Sequence, residues 1–569
     1  MNVQSYLNSP EWGSRRSAPP AAAFSTTRFT LPQHQERPRE RIITLASLSS
    51  RIADSFIAEA FSQALHEIGG KSVLLVHLEA HDVPFTLRDW TALYPSLNGE
   101  FGLAKRLRRV HEQMGELRIG IPGEVTDRRS IHALVEHCGR HFDYVIFHLD
   151  PQAPVSLLTD CLLESDRTFL LLQPTADNLY YRDLLYRELK AHPGDEVLNL
   201  KAIVCRERGE EHFNEMLKQN ADRVQGFIHG CPTPAEAIEV GGWKDRDFNA
   251  DIRRLAREVT HQRVGLALSS GGARSLAHIG VIQVLEENGI EVDAIAGCSM
   301  GSYVGAVWAF GYDGETMERL AREVEHRWGL LELIDPFILP RQGFLRGEKV
   351  KRRLKQSIGD VHFSELVRPL RIVATNLVSL EATIFSTGEV ATAVHASSAI
   401  PGACVPVKIG EEMYVDGGIS DPLPVDVLQE MGIEKIIAVN TIPTPAYLRC
   451  RMEMEREKAL MRGIRPGKFR SFVNQYLNYF APGNILDTIL RAFHGAQMRV
   501  AEYSCLQADL VLRPLSFDGR WHDFRRPGKY IALGRLEAEE HLSEIKALIN
   551  RKEPEYEPHT AQNKLAAAH

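Results

Sequence analysis

The chain has 569 residues, 44% of them apolar, so it is long enough for two or three domains with hydrophobic cores. Its formal net charge of −7 gives no overall attraction to nucleic acid or to anionic lipid. The eight cysteines are scattered without a C-x-x-C pair, which excludes a disulfide framework or a zinc site of the usual spacing and is typical of reduced thiols in a cytoplasmic protein.

The two ends of the chain lack the pattern of a folded segment. Residues 1–40 are rich in Ser, Pro, Arg and Ala, and they contain no apolar core of a secretory signal. We predict disordered tails over 1–40 and 552–569. The longest apolar stretch, Ala294–Phe310, is too short for a membrane-spanning helix.

Residues 41–245 alternate short apolar runs with amphipathic helical stretches. This alternation predicts a parallel, doubly wound α/β sheet. The predicted elements are the strands Ile42–Ala46, Ser72–His77, Tyr144–His148, Thr168–Gln173 and Leu200–Cys205, with helices such as Ile52–Ile68 and Ser130–His141 between them.

This first region resembles the partition-type ATPases of the deviant Walker class. In that family the first strand leads into a phosphate loop rich in glycine and lysine, and aspartates end the next strands. Here the loop is Leu48–Arg51 (LSSR), and His77 and His148 stand at the aspartate positions. Without glycine, lysine or a magnesium-binding carboxylate, nucleotide hydrolysis has no chemical basis. We therefore predict a degenerate, non-catalytic domain for regulation, docking or membrane positioning, followed by a linker over 246–261.

A glycine pair follows the next predicted strand, Val264–Leu268. The segment Ser269–Arg274 (SSGGAR) leads from this strand into a helix predicted over Ser275–Glu287. Backbone N–H groups at such a junction, together with the helix dipole, can hold a phosphate or an oxyanion. The loop has no G-K-[ST] and no intact G-x-G-x-x-G. An oxyanion hole is therefore favoured over a nucleotide site.

The most informative stretch is the G-x-S-x-G pentad Gly297–Gly301 (GCSMG). It lies between a predicted strand, Val292–Ala296, and a predicted helix, Ser302–Phe310. A serine forced into a sharp strand-to-helix turn exposes its hydroxyl, and the two glycines are needed because side chains there would collide with neighbouring backbone. Ser299 is the candidate nucleophile. Such a pentad also arises by chance, so the surrounding motifs decide its meaning.

A third motif places an aspartate at the end of a strand. The stretch Met413–Asp416 runs directly into Gly417-Gly418. Asp-Gly is also the commonest hairpin signal, so a simple turn stays open at this point. As a general base toward the Ser299 hydroxyl, Asp416 would need partial burial and a short hydrogen bond to it.

Histidines are the alternative bases. His278 lies on the helix after the glycine pair, and His395 precedes the segment Ala396–Ala399. Either could complete a Ser–His–Asp triad. The commoner role of a lone histidine in a helix is packing or a structural hydrogen bond, and we expect that role for both.

Taken together, the glycine pair, the serine pentad and the Asp-Gly-Gly turn resemble the patatin-like phospholipases in their order and context. Further matching text is Ala396–Gly402 (ASSAIPG), Asp421–Val425 (DPLPV) and Ala438–Asn440 (AVN). The resemblance covers about residues 262–551 and implies a three-layer α/β/α hydrolase domain over that range.

The resemblance also implies the chemistry of the site. It implies a Ser–Asp dyad acyl hydrolase that needs no metal and no cofactor. Ser299 attacks within the elbow of Gly297 and Gly301, Asp416 is the base, and the oxyanion is held by the N–H groups of Gly271, Gly272, Ala273 and Arg274. Many members have a longer glycine run, and here Ser269 and Ser270 stand in its place. We expect activity to survive this departure.

A region of this kind before the hydrolase resembles the neuropathy target esterase branch, whose members are lysophospholipases. We therefore expect a phospholipid or lysophospholipid substrate, a cytoplasmic location with peripheral contact to a membrane surface, and no nucleic-acid partner. Self-association into a homo-oligomer is left open. A basic stretch at 449–470, an aromatic stretch at 469–480 and an apolar piece at 330–345 are candidate lipid contacts. A solvated helix packed on the core is the alternative for the first two.

Several alternatives stay open at this point. With the same dyad, the protein could be a neutral-lipid lipase or an acyltransferase. Two alternatives belong to other functional classes. The protein could be a catalytically silent membrane-associated scaffold, or a nucleotide-driven switch run by residues 41–245. A Ser–His–Asp esterase is the remaining alternative within the enzyme class.

Overall fold

The structure of the protein is a computed structural model. It describes residues 40–79, 108–111, 113–120, 128–190, 200–207, 223–239, 244–325, 345–444, 485–515 and 522–551, together with the single residues 220, 335, 447, 453 and 519. Residues 1–39 and 552–569 of the predicted tails lie outside the described residues. So do the basic and aromatic stretches over 449–480 apart from residue 453, and residues 330–344 apart from residue 335.

The first half of the described chain forms an α/β sheet with helices between its strands. The strands are β1 (Ile42–Ser47), β2 (Val73–Glu79), β3 (Arg108–His111), β4 (Met114–Gly120), β5 (Tyr144–Leu149), β6 (Arg167–Leu172), β7 (Leu200–Glu207) and β8 (Gly226–Cys231). The helices are α1 (Asp54–Gly69), α2 (Arg128–His141), α3 (Val155–Glu164), α4 (Ala176–Lys190), α5 (Pro234–Glu239) and α6 (Arg246–Val259).

The spatial order of this first sheet is β3-β4-β2-β5-β1-β6-β7-β8. Strands β4, β2, β5, β1, β6, β7 and β8 pair in parallel, and β3 joins the edge antiparallel to β4. Successive residues of a strand point to opposite faces. On β5, Val145 and Phe147 enter one core with α2 and α3, whereas Ile146 enters the other core with α1 and α6. Helices therefore cover both faces, and the predicted doubly wound sheet is confirmed.

Helix α6 occupies the stretch that we predicted as a linker. Asp245 caps its first turn by accepting hydrogen bonds from the N–H groups of Asp247 and Phe248 at 3.0 Å. Its buried apolar side chains belong to the core of the first sheet: Phe248, Ile252, Leu255, Ala256 and Val259. Most of these residues are three or four positions apart, which is the spacing of an amphipathic helix. The pattern is hard to recognise in the sequence because many charged residues lie between the apolar ones.

The second half forms another α/β sheet. Its strands are β9 (Val264–Leu268), β10 (Ala294–Cys298), β11 (Leu370–Asn376), β12 (Ala382–Phe385), β13 (Val407–Ile409), β14 (Glu412–Asp416), β15 (Lys435–Val439) and β16 (Leu510–Leu512). Its helices are α7 (Ala277–Glu287), α8 (Met300–Phe310), α9 (Gly314–Arg322), α10 (Glu348–Ile358), α11 (Val390–Ser397), α12 (Val425–Glu430), α13 (Ile485–Cys505), α14 (Pro527–Glu540) and α15 (Leu542–Asn550). Short 3₁₀ turns span Gly272–Leu276, Glu323–Glu325, Phe363–Glu365 and Gly417–Ile419.

This second sheet has the order β13-β14-β11-β10-β9-β15-β16, and β12 pairs with β11 off this path. In this spatial order, the neighbouring strands β11, β10, β9, β15 and β16 pair in parallel. Strands β12, β13 and β14 add antiparallel pairs at one end. Helices α7, α8 and α14 pack in the larger core on one face. Helices α12 and α13 pack in the core on the other face. The predicted three-layer α/β/α arrangement is therefore confirmed.

Helices α7 and α14 approach each other through two glycines. A Cβ atom on Gly280 would lie 1.9 Å from the carbonyl oxygen of Ile531, and one on Gly534 would lie 1.9 Å from the carbonyl oxygen of Ala277. Real Cβ atoms cannot come so close to backbone, so each helix needs glycine at the crossing. Helix α14 is thereby fixed against the helix that follows the glycine-pair loop.

A buried carboxylate links the two sheets. Glu258 of α6 pairs with Arg167 of β6 at 3.1 Å and with Lys201 of β7, both in the first sheet. It also lies 3.6 Å from Arg263, which directly precedes β9 of the second sheet. Burial alone would raise the pKa of Glu258, but these three cations outweigh it and hold the pKa below its ordinary value. The carboxylate is therefore ionised at neutral pH.

The described residues also bear on the redox and membrane expectations. Seven of the eight cysteines lie among them, and each of these seven is a buried free thiol. Of the helices that the structure describes, none combines the length and the apolar character needed to cross a bilayer.

Candidate active site

Ser299 occupies a strained turn between β10 and α8. Its backbone has φ +54° and ψ −124°, a conformation that a residue with a side chain rarely adopts. A Cβ atom on Gly301 would lie 2.3 Å from the carbonyl oxygen of Leu268, and one on Gly297 would lie 2.8 Å from the Cα atom of Ser302. Both glycines of the pentad are therefore required by close backbone approach, as the sequence predicted.

Strand β11 explains why Asp416 meets this serine. Cys298, the last residue of β10, is in register with Val373 of β11. Beyond the end of β10, the antiparallel strand β14 continues along β11, and its last residue Asp416 is in register with Ala374. The residue before Ser299 therefore pairs with Val373 of β11, and Asp416 pairs with the next residue of β11, Ala374. Ser299 Oγ donates a hydrogen bond of 2.6 Å to Asp416 Oδ2.

The environment of Asp416 makes its carboxylate more basic than usual. The side chain is 2% exposed, and this burial raises its pKa to about 6 despite hydrogen bonds from Ser299 and from the N–H of Gly418 at 2.8 Å. Of the two following glycines, Gly417 is required by close approach of backbone, whereas Gly418 lies against a side chain. A Cβ atom on Gly417 would lie 2.3 Å from the carbonyl oxygen of Val373, and one on Gly418 would lie 2.0 Å from Gln497 Nε2. A carboxylate with this pKa can accept a proton from a hydroxyl better than an exposed one.

The glycine-pair loop faces the same space as the serine. After β9 the chain enters the 3₁₀ turn Gly272–Leu276, and α7 begins at Ala277, two residues later than predicted. Gly272 has φ +61°, and it lines one cavity together with Ser299. Ala273 and Arg274 are buried within the turn. The first N–H groups of such a turn have no partner inside it and can serve as donors to a ligand.

The serines that replace the usual glycine run bind the loop after β15. The N–H of Thr441 donates to Ser269 Oγ at 2.9 Å, and Thr441 Oγ1 donates to the carbonyl oxygen of Ser270 at 3.1 Å. The N–H of Ser270 donates to the carbonyl oxygen of Pro422 at 2.9 Å. These bonds fix the loop before it reaches Gly271, so the departure from the family pattern has a structural role.

Neither candidate histidine is hydrogen-bonded to the serine. His278 is fully buried with Nε2 3.0 Å from the carbonyl oxygen of Ser269, and burial lowers its pKa to about 4. His395 has Nε2 3.2 Å from the carbonyl oxygen of Arg346 and forms part of the cavity wall. Both therefore have the structural hydrogen bonds that we expected of them.

A cavity of about 420 Å³ opens at Ser299. This volume is within the usual range of about 300–1,000 Å³ for small-molecule sites. Its wall is mostly apolar, with side chains from the glycine-pair turn, α7, α8, α9, α10 and the segment after α11. Apolar members of the wall are Leu276, Ile279, Met300, Tyr303, Val304, Val307, Met317, Leu320, Leu345, Val350, Ile400 and Phe524.

The serine-rich segment at the end of α11 contributes a residue whose role the sequence did not reveal. Ser397 Oγ accepts a hydrogen bond of 2.8 Å from the N–H of Ser299 and donates one of 2.6 Å to the carbonyl oxygen of Val373. The motif Ala396–Gly402 marked the segment as family-like. Nothing in its local pattern indicated a contact with a residue 98 positions away.

Two histidines of the first sheet, His77 and His148, contact each other. His77 Nδ1 lies 2.9 Å from His148 Nδ1, and both rings are buried between neighbouring strands. Burial, followed by the proximity of His148, lowers the pKa of His77 to about 3. The pair fills space at the carboxyl ends of β2 and β5. That the first region is non-catalytic stays a prediction.

Comparison with known proteins points to one family for the second sheet. Residues 266–428 match the model of the family described as patatin-like phospholipase. An uncharacterized NTE family protein of Mycobacterium tuberculosis is 41% identical over 184 residues, which are 32% of this chain and 50% of that protein. Lysophospholipase nte1 of Aspergillus fumigatus is 34% identical over 237 residues, 40% of this chain and 15% of that protein. The chain thus spans half or less of these curated relatives.

Solved structures give weaker likenesses. A ParA family ATPase from Chlorobium tepidum has 15% identity and a TM-score of 0.31, covering 38% of this chain and 98% of that one. VipD from Legionella pneumophila has 15% identity and a TM-score of 0.26, covering 50% of this chain and 67% of that one. At these scores neither carries an argument, and the fold described above rests on strand order and register.

Proposed function

The chain carries a patatin-like phospholipase domain of the NTE-like branch, and we propose from this premise that it is a serine acyl hydrolase acting on lysophospholipids. The observation that carries the proposal is the 2.6 Å hydrogen bond from Ser299 Oγ to Asp416 Oδ2, in which the serine lines a mostly apolar cavity. A hydroxyl, a base and an acyl-sized apolar space are together what hydrolysis of a lipid ester requires.

The acylation step follows from this geometry. Ser299 Oγ attacks the carbonyl carbon of the ester while Asp416 accepts its proton. The oxyanion of the tetrahedral intermediate accepts hydrogen bonds from N–H groups of the Gly271–Arg274 loop. The intermediate then collapses, the ester C–O bond breaks, and Asp416 returns the proton to the leaving alcohol. The acyl group remains on Ser299.

Deacylation repeats the sequence with water. Asp416 takes a proton from a water molecule whose oxygen attacks the acyl carbonyl, and the same N–H groups hold the second oxyanion. Collapse breaks the bond to Ser299 Oγ, which recovers its proton from Asp416, and the fatty acid is released. An alcohol in place of the water would give acyl transfer, so an acyltransferase stays the nearest alternative.

The cavity favours lipids with one acyl chain. At about 420 Å³, the cavity is near the lower end of the range of about 300–1,000 Å³ for small-molecule sites, a size that suits a single acyl chain. A second chain would remain in water at a cost of about 0.8 kcal/mol per methylene left unburied. We therefore propose lysophospholipids over two-chain lipids, and a working position at the surface of a membrane.

Covalent labelling tests the proposal directly. We expect a fluorophosphonate probe to modify Ser299, and we expect purified protein to release fatty acid from one-chain phospholipids faster than from two-chain phospholipids. Mass spectrometry of the labelled peptide and a fatty-acid assay measure the two results, with Ser299→Ala as the blank. Unlabelled Ser299 in folded protein without esterase activity would favour the silent scaffold.

The pH dependence of the reaction should report Asp416. The base must be unprotonated to accept the serine proton, so kcat/KM rises with pH through a limb centred near the pKa of about 6 and then levels off. A soluble one-chain ester assayed at several temperatures checks this. The limb of a carboxyl group shifts little with temperature, whereas that of an imidazole shifts strongly. A strongly shifting limb would point to a histidine base.

A further inference from the structure

The end of helix α11 contacts the backbones of both reacting residues. Ser397 Oγ accepts the N–H of Ser299 at 2.8 Å, and two residues later the carbonyl oxygen of Ala399 accepts the N–H of Asp416 at 2.9 Å. Ser397 also donates to the carbonyl oxygen of Val373, whose residue is in register with the end of β10. Ser397 and Ala399 therefore connect the nucleophile, the base and the strand that aligns them.

The hydroxyl of Ser397 makes two of these contacts, and few side chains could replace it. It is buried, with no exposed area, and it acts as acceptor for one backbone group and donor to another. The N–H that it satisfies belongs to a residue held at φ +54°. A strained backbone persists only when its surroundings over-determine it, and a buried N–H without a partner costs about 1–3 kcal/mol.

We propose that Ser397 is a positioning residue that sets the distance between Ser299 Oγ and Asp416 Oδ2. It acts through the Ser299 backbone and does not contact the substrate. The inference rests on the proposed function, because it assigns Ser397 a part in the reaction of that dyad. Without the hydroxyl, the turn relaxes from its strained conformation and the 2.6 Å bond lengthens.

Two measurements on Ser397→Ala test the proposal. Active sites are titrated to completion with the fluorophosphonate, so that kcat is expressed per labelled site. A displacement of about 1 Å at the reacting atoms lowers rate by about 10²-fold, and we expect a loss of this order in kcat with little change in KM. The hydrogen bond from Ser299 lowers the pKa of Asp416. Its lengthening should therefore move the acid limb of kcat/KM to higher pH.

The matched control is Ser62→Ala in helix α1. Ser62 is also a buried serine, 1% exposed, whose hydroxyl donates to a backbone carbonyl, that of Ala58, at 2.7 Å. It should lose stability while kcat per site and the acid limb stay at their wild-type values. If Ser397→Ala does not fold, Ser397→Cys keeps a donor and an acceptor at the γ position with weaker hydrogen bonds, and the same two readouts apply.

The outcomes separate this inference from the proposed function. Wild-type protein that neither labels nor hydrolyses esters would remove the proposed function and this inference with it. Active wild type together with Ser397→Ala of unchanged kcat per site and unchanged acid limb would overturn the positioning role alone. A lowered kcat with the limb displaced upward supports it.

Discussion

Asp416→Asn is expected to lower kcat by about 10²–10⁴-fold, the usual contribution of a general base. Asparagine has nearly the same shape and can still accept the N–H of Gly418, so the turn after β14 should persist. Its amide cannot take the proton of Ser299 Oγ at any ordinary pH. We expect fatty-acid release and fluorophosphonate labelling to slow together, because both depend on the nucleophilicity of the same hydroxyl.

Asp421→Asn is the matched control for this substitution. Asp421 lies five residues further along the same segment and is buried, and burial together with the neighbouring Asp426 raises its pKa well above the ordinary value. An asparagine keeps the shape of the residue and removes the charge that burial disfavours. We expect near wild-type kcat for this variant. Retention of activity within a few-fold in Asp416→Asn would remove the aspartate from the mechanism.

Glu258→Gln is expected to lower the free energy of unfolding by about 3 kcal/mol at neutral pH, the lower end for breaking a buried ion pair. Lys201 loses its carboxylate partner, whereas Arg167 keeps Glu40 and Arg263 keeps Glu434. Because the folded pKa of Glu258 is depressed, its contribution is present above the pKa of the unfolded glutamate and disappears as pH falls through the folded pKa. The difference between variant and wild type should therefore shrink in acid.

Urea denaturation at neutral and acid pH measures this effect, and an exposed ion pair provides the comparison. Glu136 and Arg140 form a pair on the surface of α2 with side-chain exposures of 47% and 64%. Glu136→Gln should change stability by no more than about 0.5 kcal/mol. A cost for Glu258→Gln as small as this would show that the junction between the sheets does not depend on its charge.

Much of the fold could be predicted from uninterrupted apolar runs. Strand β9 has the predicted bounds, and β1, β5 and β6 differ from prediction by one residue. The strands that we missed have mixed patterns. Strand β4 (Met114–Gly120) contains Glu116 and Arg118, and β8 (Gly226–Cys231) contains two glycines. Such strands are specified by neighbours in the sheet, which a local pattern does not contain.

Some features of the candidate site could also be predicted from local sequence, whereas others depend on the whole sheet. The two glycines of the pentad and Gly417 could be predicted because close backbone approach constrains residue type locally. The meeting of Ser299 with Asp416 depends on β14 continuing along β11 beyond the end of β10, which is a property of the whole sheet. The hydrogen bond from the Ser299 N–H to Ser397 likewise could not be predicted from the sequence. A serine can have many structural roles, and these two residues are 98 positions apart.

The crossing of α7 and α14 bears on how this chain may be divided for experiments. The family match ends at residue 428, yet β15 pairs with β9 in the sheet interior, and Gly534 of α14 packs against the helix that bears Gly280. A truncation at the match boundary would uncover the backbone edge of β9 and the apolar side of α7, a surface prone to aggregation. An expression fragment that contains the second sheet should therefore extend through Asn550, the last residue of α15.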